Sequence, residues 1–531
     1  MKKVITLILT LMFTISSFSL VACGGESGTG DGGGTTTSTF SLEREKISLN
    51  LGNGRTLKYE ASPDLTGAVE WSSSAPEIVS VNSSGRVTAN KIGSAVITAK
   101  LGSFEDTCTV TVNLATNQTP SILLKSGIYD GAVIKLGDYS TIENVITYNA
   151  LEYTDANWTY SIKDPSVVEI TDGKIKGKKV GSTEITVKAS WRGVEGDDLT
   201  KTINVSVKQF DKSNTLSYTD TTYFNQYGRT YTDSNGLVFD LSGTAIEFYF
   251  YGTALTMNAL VTQTSSTAVR VFIDNDAEGK FITLKNTTLS EVVLAENLNE
   301  SAHFVRIVKS SPQDLGVFAV KEFKAKSFAK PNTKSDLYIE FIGDSITVGY
   351  SVLDDGQGSQ SVSNTDATKS FAYLTAKNLN ADYSMVCMQG ITVNTKYNLN
   401  YSMTDFYNWY SANKRDAFTD KKSPDVVVIN LGTNDSGYLN THQNHNLAND
   451  YVVLLDQIRA KHTKAYIIIT YGMMSTDNNV MTAINDAIST LNDEKITFVK
   501  PADPSGGGHP TKQVNIKTAE ILTNYINGLI G

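Results

Sequence analysis

Four short stretches, far apart in a chain of 531 residues, carry the residue types that acyl-transfer chemistry needs. The first is Gly343-Asp344-Ser345-Ile346-Thr347, directly behind an apolar run. A serine where a strand gives way to a helix start presents its hydroxyl at the mouth of a sheet, with helix amides nearby to meet developing negative charge. The same pentapeptide also suits a plain turn with Ser345 as a helix N-cap, and taken alone it does not separate the two readings. Gly390 follows a second apolar run, where a bare backbone N–H can face the same point. A third run ends in Gly432-Thr433-Asn434-Asp435, and the Asn434 amide can donate to an oxyanion. His509-Pro510 stands after the last apolar run and before the final helical pattern. Of the histidines His303, His442, His445, His462 and His509, only His509 occupies that position. Hydroxyl, N–H donors and imidazole are the parts of a serine acyl-enzyme mechanism.

These positions depend on the elements around them. After Pro331, strand-like and helix-like patterns alternate: apolar runs at 337–342, 383–388, 426–431, 466–471 and 496–499 are separated by helical spacing. One such face is Leu447, Tyr451, Leu454, Leu455 and Ile458, and the last is Val514, Thr518, Ile521, Leu522 and Tyr525. Alternation of this kind predicts a parallel sheet covered by helices on both sides, with ligands beyond the carboxyl ends of its strands. All four stretches fall at such ends.

Upstream, residues 40–115 and 120–208 read as short alternating strands between Gly, Asn and Ser turns. They repeat one another: Trp71, Pro76, Gly85 and Gly93 recur as Trp158, Pro165, Gly173 and Gly181, 87 to 89 positions on. Each unit suits a β-sandwich, with its Trp in the core. Residues 210–330 continue in β-pattern without that repeat and are read as a further, jelly-roll-like sandwich. The amino terminus is different. Lys2 and Lys3 precede an apolar stretch ending in Leu20-Val21-Ala22-Cys23, which has the form of a secretory signal over 1–22. Residues 23–39 are rich in Gly, Ser and Thr, a flexible tether.

Length alone calls for several domains, and the composition is that of folded material (40% hydrophobic, 19% charged). A formal charge of −9 without long basic runs argues against nucleic acid as a partner. Cys23, Cys108 and Cys387 are too few and scattered for a disulfide framework or a zinc site, and no metal or cofactor is called for. Cys108 and Cys387 read as small buried hydrophobes.

Several of these stretches resemble known families. The sequence before Cys23 is similar to the lipobox of bacterial lipoproteins, which implies a lipidated Cys23 and an extracytoplasmic chain anchored to a membrane. Trp71-Ser-Ser-Ser-Ala-Pro-Glu-Ile-Val and Gly85-Arg-Val-Thr-Ala resemble group 2 bacterial Ig-like domains, with a looser likeness in the second repeat. Ser345, Gly390, Asn434 and His509 together resemble the SGNH or GDSL hydrolase superfamily. That likeness implies a flavodoxin-like, five-stranded α/β domain over 331–531, with Ser345 as nucleophile, His509 as base, and the Ser345 amide, Gly390 and Asn434 as oxyanion hole. The region near Pro424-Asp-Val-Val-Val-Ile-Asn-Leu-Gly-Thr-Asn-Asp, together with the β-domain before it, is most like carbohydrate esterase family 2. This implies removal of acetyl groups from plant polysaccharide such as xylan or glucomannan.

One position departs from the superfamily pattern. An Asp three residues before the His is usual, and here that residue is Gly506. Asp503 could return through Ser505-Gly-Gly-Gly to complete a triad; otherwise a Ser–His dyad operates, as in some family 2 esterases. In either case a neutral imidazole is required, so activity is expected to fall below roughly pH 6. Two other readings stay open: an esterase for another O-acylated substrate, and a non-catalytic carbohydrate-binding or adhesive surface protein. Tyr350, Trp409, Tyr438 and Tyr471 are the aromatic candidates for contact with a sugar ring.

Overall fold

The computed structural model describes residues 38–115, 119–191, 199–264, 266–420, 422–504, 506, 508–530. The signal segment and Cys23 lie outside the described residues. Among the described residues, no helix is long and apolar enough to cross a membrane. The chain divides into two units, 1–116 and 117–531.

In the first unit, strand period two drives the architecture. Along Gly93–Leu101, Ala95, Ile97, Ala99 and Leu101 are buried while their neighbours are more exposed. That strand pairs with Phe104–Asn113 and Glu70–Ser73, and Lys46–Asn50 joins the other side of Phe104–Asn113 in parallel. A second sheet sets Gly54–Thr56 against Arg86–Ala89 and Val79–Val81.

The second repeat, in the other unit, reproduces these pairings. Gly181–Ser190 takes the central place between Leu199–Lys208 and Asn157–Ile162, with Ala132–Lys135 parallel on the outer side. The recurring tryptophans are not core residues, against expectation. Trp71 and Trp158 lie on the edge strands of their sheets and are half-buried. Gly85, in the left-handed region at φ +76°, makes room for the Trp71 ring, since a Cβ there would come within 2.6 Å of it. The buried tryptophan of the second repeat is Trp191, packed against Tyr148 and Tyr153.

The β-domain that follows is joined to both neighbours through one strand, Ala245–Gly252, buried along its whole length. Alternation explains this. Ile246, Phe248 and Phe250 face the domain's own core. On the other face Ala245 enters the core of the C-terminal domain, while Tyr249 and Tyr251 pack with Val133 of the second repeat.

The C-terminal domain holds five parallel strands in the order Asp382–Cys387, Tyr338–Gly343, Val426–Asn430, Tyr466–Ile469, Ile496–Phe498. Near-continuous Val and Ile in these strands follow from burial on both faces. The helix Leu447–Lys461 covers one face; Phe371–Asn378 and Lys512–Ile530 cover the other. Cys387 is buried, its thiol pushed well up by burial, and Cys108 is buried too.

The β-domain and the C-terminal domain are locked by buried charge. Arg229 is fully buried; its Nη1 donates to the carbonyls of Tyr407 (2.8 Å) and Trp409 (2.7 Å), and its Nη2 pairs with Glu340 at 3.1 Å. Tyr407 hydroxyl donates to the other Glu340 oxygen at 2.7 Å. Arg270 pairs with the buried Asp366 at 2.6 Å. The first bridge runs from the β-domain to a strand of the sheet, Tyr338–Gly343, and the second to the turn that precedes helix Phe371–Asn378.

Candidate active site

Strand Tyr338–Gly343 passes into the single-turn helix Ser345–Val348 with no spare room. A Cβ on Gly343 would sit 2.0 Å from Thr347 Oγ1, so the turn requires glycine. Asp344 caps the helix, accepting the Ile346 amide at 2.9 Å. Its carboxyl is fully buried, and burial pushes its pKa up to about 7. Ser345 follows at the sheet mouth, 7% exposed.

His509 reaches this point from 164 positions away, its Nε2 lying 2.9 Å from Ser345 Oγ. This is the approach a general base needs. Burial lowers the His509 pKa to about 4, and among the described residues no charged partner opposes that. The neutral, proton-accepting ring therefore persists well below pH 6, so the acid limit expected from an ordinary histidine moves down.

Asp503 is not brought to the imidazole. Its side chain is 81% exposed and pairs with Lys500 at 2.8 Å, which holds the carboxyl below its usual range. A charged carboxylate gains more from solvent and an adjacent ammonium than from burial beside a neutral ring.

Gly390 and Asn434 converge on the same rim. Gly390 adopts φ +74°, and among the described residues its N–H has no acceptor. Asn434, in the first turn of helix Thr433–Leu439, donates to the Ile391 carbonyl at 2.9 Å and lies 3.4 Å from Asp344. Two further residues hold these donors. Asn398 Nδ2 donates to Gly390 O at 3.0 Å and stands 3.5 Å from Asn434 Oδ1. Asp435 accepts the Val393 amide at 3.0 Å, fastening the Gly390 loop to the Asn434 helix, and burial pushes its pKa up to about 7. Sequence reasoning missed Asn398, which carries no motif, and passed over Asp435 although it adjoins Asn434.

The aromatic candidates separate. Tyr350 stacks on His509 itself, Trp409 packs with Tyr401 and Phe406, and Tyr471 is buried. Tyr438, one helical turn beyond Asn434, meets Tyr397 edge-on, and Tyr397 is 44% exposed. Tyr397 was not singled out from sequence; an exposed aromatic shortly after Gly390 was the available signal.

A second Ser–His–Asp contact lies in the β-domain: His303 Nδ1 pairs with Asp274 at 2.7 Å and Nε2 lies 3.1 Å from Ser301 Oγ. Nε2 is also 2.9 Å from the Asn299 carbonyl, where it donates its proton. Burial opposes the imidazolium, but Asp274 outweighs it and raises the His303 pKa. With its two ring nitrogens directed at Asp274 and the Asn299 carbonyl, this ring is not placed to take a proton from Ser301. Among the described residues, no cluster suits a metal ion.

A parallel sheet with serine, imidazole and N–H donors at one rim defines an α/β acylhydrolase domain, and comparison with known proteins gives its class. Residues 341–514 match the GDSL-like Lipase/Acylhydrolase family, residues 226–332 the Carbohydrate esterase 2 N-terminal domain, and residues 37–112 the Bacterial Ig-like domain (group 2). The C-terminal portion thus pairs a domain matching the Carbohydrate esterase 2 N-terminal model with one matching the GDSL-like model, behind a matched Ig-like module.

Particular relatives fit that class. Cellulase/esterase CelE of Acetivibrio thermocellus is 29% identical over 325 residues, covering 57% of this chain and 39% of that protein. An Acetylxylan esterase / glucomannan deacetylase of Cellvibrio japonicus is 29% identical over 245 residues, covering 42% of this chain and 63% of that protein. The chain therefore spans less than two thirds of either relative's length. A family two carbohydrate esterase from Clostridium thermocellum, solved in complex with cellohexaose, aligns with TM-score 0.52 at 27% identity, covering 58% of this chain and 99% of that one.

Proposed function

We propose that this chain hydrolyses acetyl esters on plant cell-wall polysaccharide of the xylan or glucomannan type, through an acyl-enzyme on Ser345. The observation that carries the reading is the 2.9 Å approach of His509 Nε2 to Ser345 Oγ at the rim that also holds the Gly390 N–H and the Asn434 amide. As Ser345 Oγ bonds to the acetyl carbon, its proton passes to His509 Nε2. The Ser345 and Gly390 amides, with Asn434, receive the oxyanion. Collapse breaks the ester bond, and the sugar oxygen leaves with the proton from Nε2. Water, deprotonated by the same nitrogen, then attacks the acyl carbon; the Ser345 Oγ–acyl bond breaks, Oγ takes the proton back from Nε2, and acetate is released. Without a carboxylate on Nδ1, Ser345 and His509 act as a dyad.

The relatives' names support a polysaccharide substrate, and the exposed Tyr397 beside Tyr438 offers a face for a pyranose ring. Export, followed by lipidation at Cys23, would hold the enzyme outside the cytoplasm on a membrane, with the Ig-like modules as spacers. The test offers acetylated xylan, acetylated glucomannan and an aryl acetate to the full chain and to Ser345→Ala. Serine-dependent acetate release from a polysaccharide is expected. Release from the aryl ester alone points to another O-acylated substrate, and no Ser345-dependent release leaves a carbohydrate-binding or adhesive protein.

A further inference from the structure

Among the described residues, His509 has no orienting carboxylate and its Nδ1 has no acceptor. The ring is nevertheless fixed. Tyr350 lies against it face to face, centroids 3.9 Å apart and planes 16° from parallel. The Tyr350 amide donates to Ser345 O at 3.1 Å, so nucleophile and stacking ring share one turn of backbone. At its far end the Tyr350 hydroxyl accepts the Gln360 amide at 2.9 Å, pinning the ring's tilt.

The loop behind Tyr350 holds the histidine backbone as well. The His509 amide donates to Gly356 O at 3.2 Å. Gly356 has φ +79°, and a Cβ there would fall 1.8 Å from His509 O, so only glycine permits this approach. Asn364 ties the loop together, its amide donating to Ser351 Oγ (3.2 Å), Asp354 Oδ2 (3.0 Å) and Ser359 O (3.0 Å). Asp366, where the loop ends, is the carboxylate paired with Arg270 of the β-domain.

We propose that Tyr350, braced by this loop, is the positioning residue for the His509 imidazole and takes the part a carboxylate plays in a triad. The proposal rests on the Ser345–His509 acyl-transfer reading. When the Ser345 proton reaches Nε2, the ring becomes an imidazolium with no anion on Nδ1. The negative face of the phenol ring, already in contact, attracts that cation at the moment it forms. Stacking also holds Nε2 toward Ser345 in the resting state, where a single backbone bond would leave the ring free to turn about its side-chain torsions.

The test uses the full chain with an aryl acetate and compares Tyr350→Leu, Tyr350→Met, Tyr350→Phe and Ser345→Ala. The Leu and Met variants are expected to lose ~10-fold or more in kcat with KM within about twofold, and Phe, which keeps the ring face, to stay within about threefold of the parent. Two replacements of different shape guard against one failing to fold, which circular dichroism reports. Leu or Met at parental kcat would overturn the proposal. So would Phe falling as far as Leu, which would assign the effect to the hydroxyl and Gln360. Full activity in Ser345→Ala would instead remove the acyl-transfer reading itself.

Discussion

The pH–rate profile is the most direct probe of the site, because the His509 environment sets its acid limb. Burial lowers the ring's pKa from 6.5 to about 4. A base works in its neutral form, and lowering the pKa keeps that form present at lower pH. At pH 5 roughly nine-tenths of such rings are neutral, against about 3% for an unperturbed histidine, a difference on the order of 30-fold in kcat/KM. The assay measures kcat/KM for an aryl acetate from pH 3.5 to 8 and fits the acid limb, which should fall near pH 4. Folding linkage does not forbid the measurement. Because the folded His509 binds its proton less well than the unfolded one, its contribution to stability declines as pH falls from about 6.5 to about 4. Asp344 and Asp435, raised to about 7 by burial, bind protons better when folded and gain stability over the same descent. Circular dichroism at each pH confirms the folded state. An acid limb centred at pH 6 to 6.5 in folded protein would refute the argument, since it would mean that the ring is solvated or carries a carboxylate partner.

Further outcomes follow from the same geometry. Asp503→Asn should leave kcat within about twofold, because the carboxylate pairs with Lys500 in solvent, whereas a loss near 10³ would establish a triad. Asn434→Ala should cost about 10²–10³ in kcat, measured under saturating aryl acetate. Asp435→Ala, which frees the Val393 amide and with it the Gly390 loop, should lower kcat, while Asp435→Asn, which retains an acceptor oxygen, should restore most of it. Arg229→Met leaves Glu340 charged and buried, and should destabilise the C-terminal half by about 3–5 kcal/mol in calorimetry; Arg229→Met with Glu340→Gln should recover part of that loss.

How much of this was readable beforehand depended on whether local pattern or tertiary contact decides a feature. The five strands were legible because both faces are buried, and an unbroken apolar run such as Val426–Asn430 records that directly. Ser345, Gly390, Asn434 and His509 were legible because each follows a strand end, where chain order alone brings residues to one rim. The return of Asp503 was not, since flexible glycines permit it and only the balance between solvent, Lys500 and a neutral imidazole decides against it. Trp71 misled because a recurring aromatic suggests a core, while its place on an edge strand depends on which strand pairs outermost. Tyr350 read as a candidate sugar platform; that its ring is already occupied by His509 follows from a loop closure with no sequence period. Arg229 gave no signal either, because its partners Glu340, Tyr407 and Trp409 lie more than a hundred positions downstream.

Strand Ala245–Gly252 has a consequence for how such a chain can be rearranged. Ile246, Phe248 and Phe250 fill the β-domain, while Ala245, Tyr249 and Tyr251 on the other face pack with the domains on either side. Insertion or loss of a single residue there would reverse every side chain beyond it, emptying and overfilling neighbouring interiors together. Recombination that exchanges or duplicates modules is therefore expected to leave this strand uncut and to carry the β-domain and the hydrolase domain together, as in the solved family two esterase that aligns with 58% of this chain over 99% of its own length.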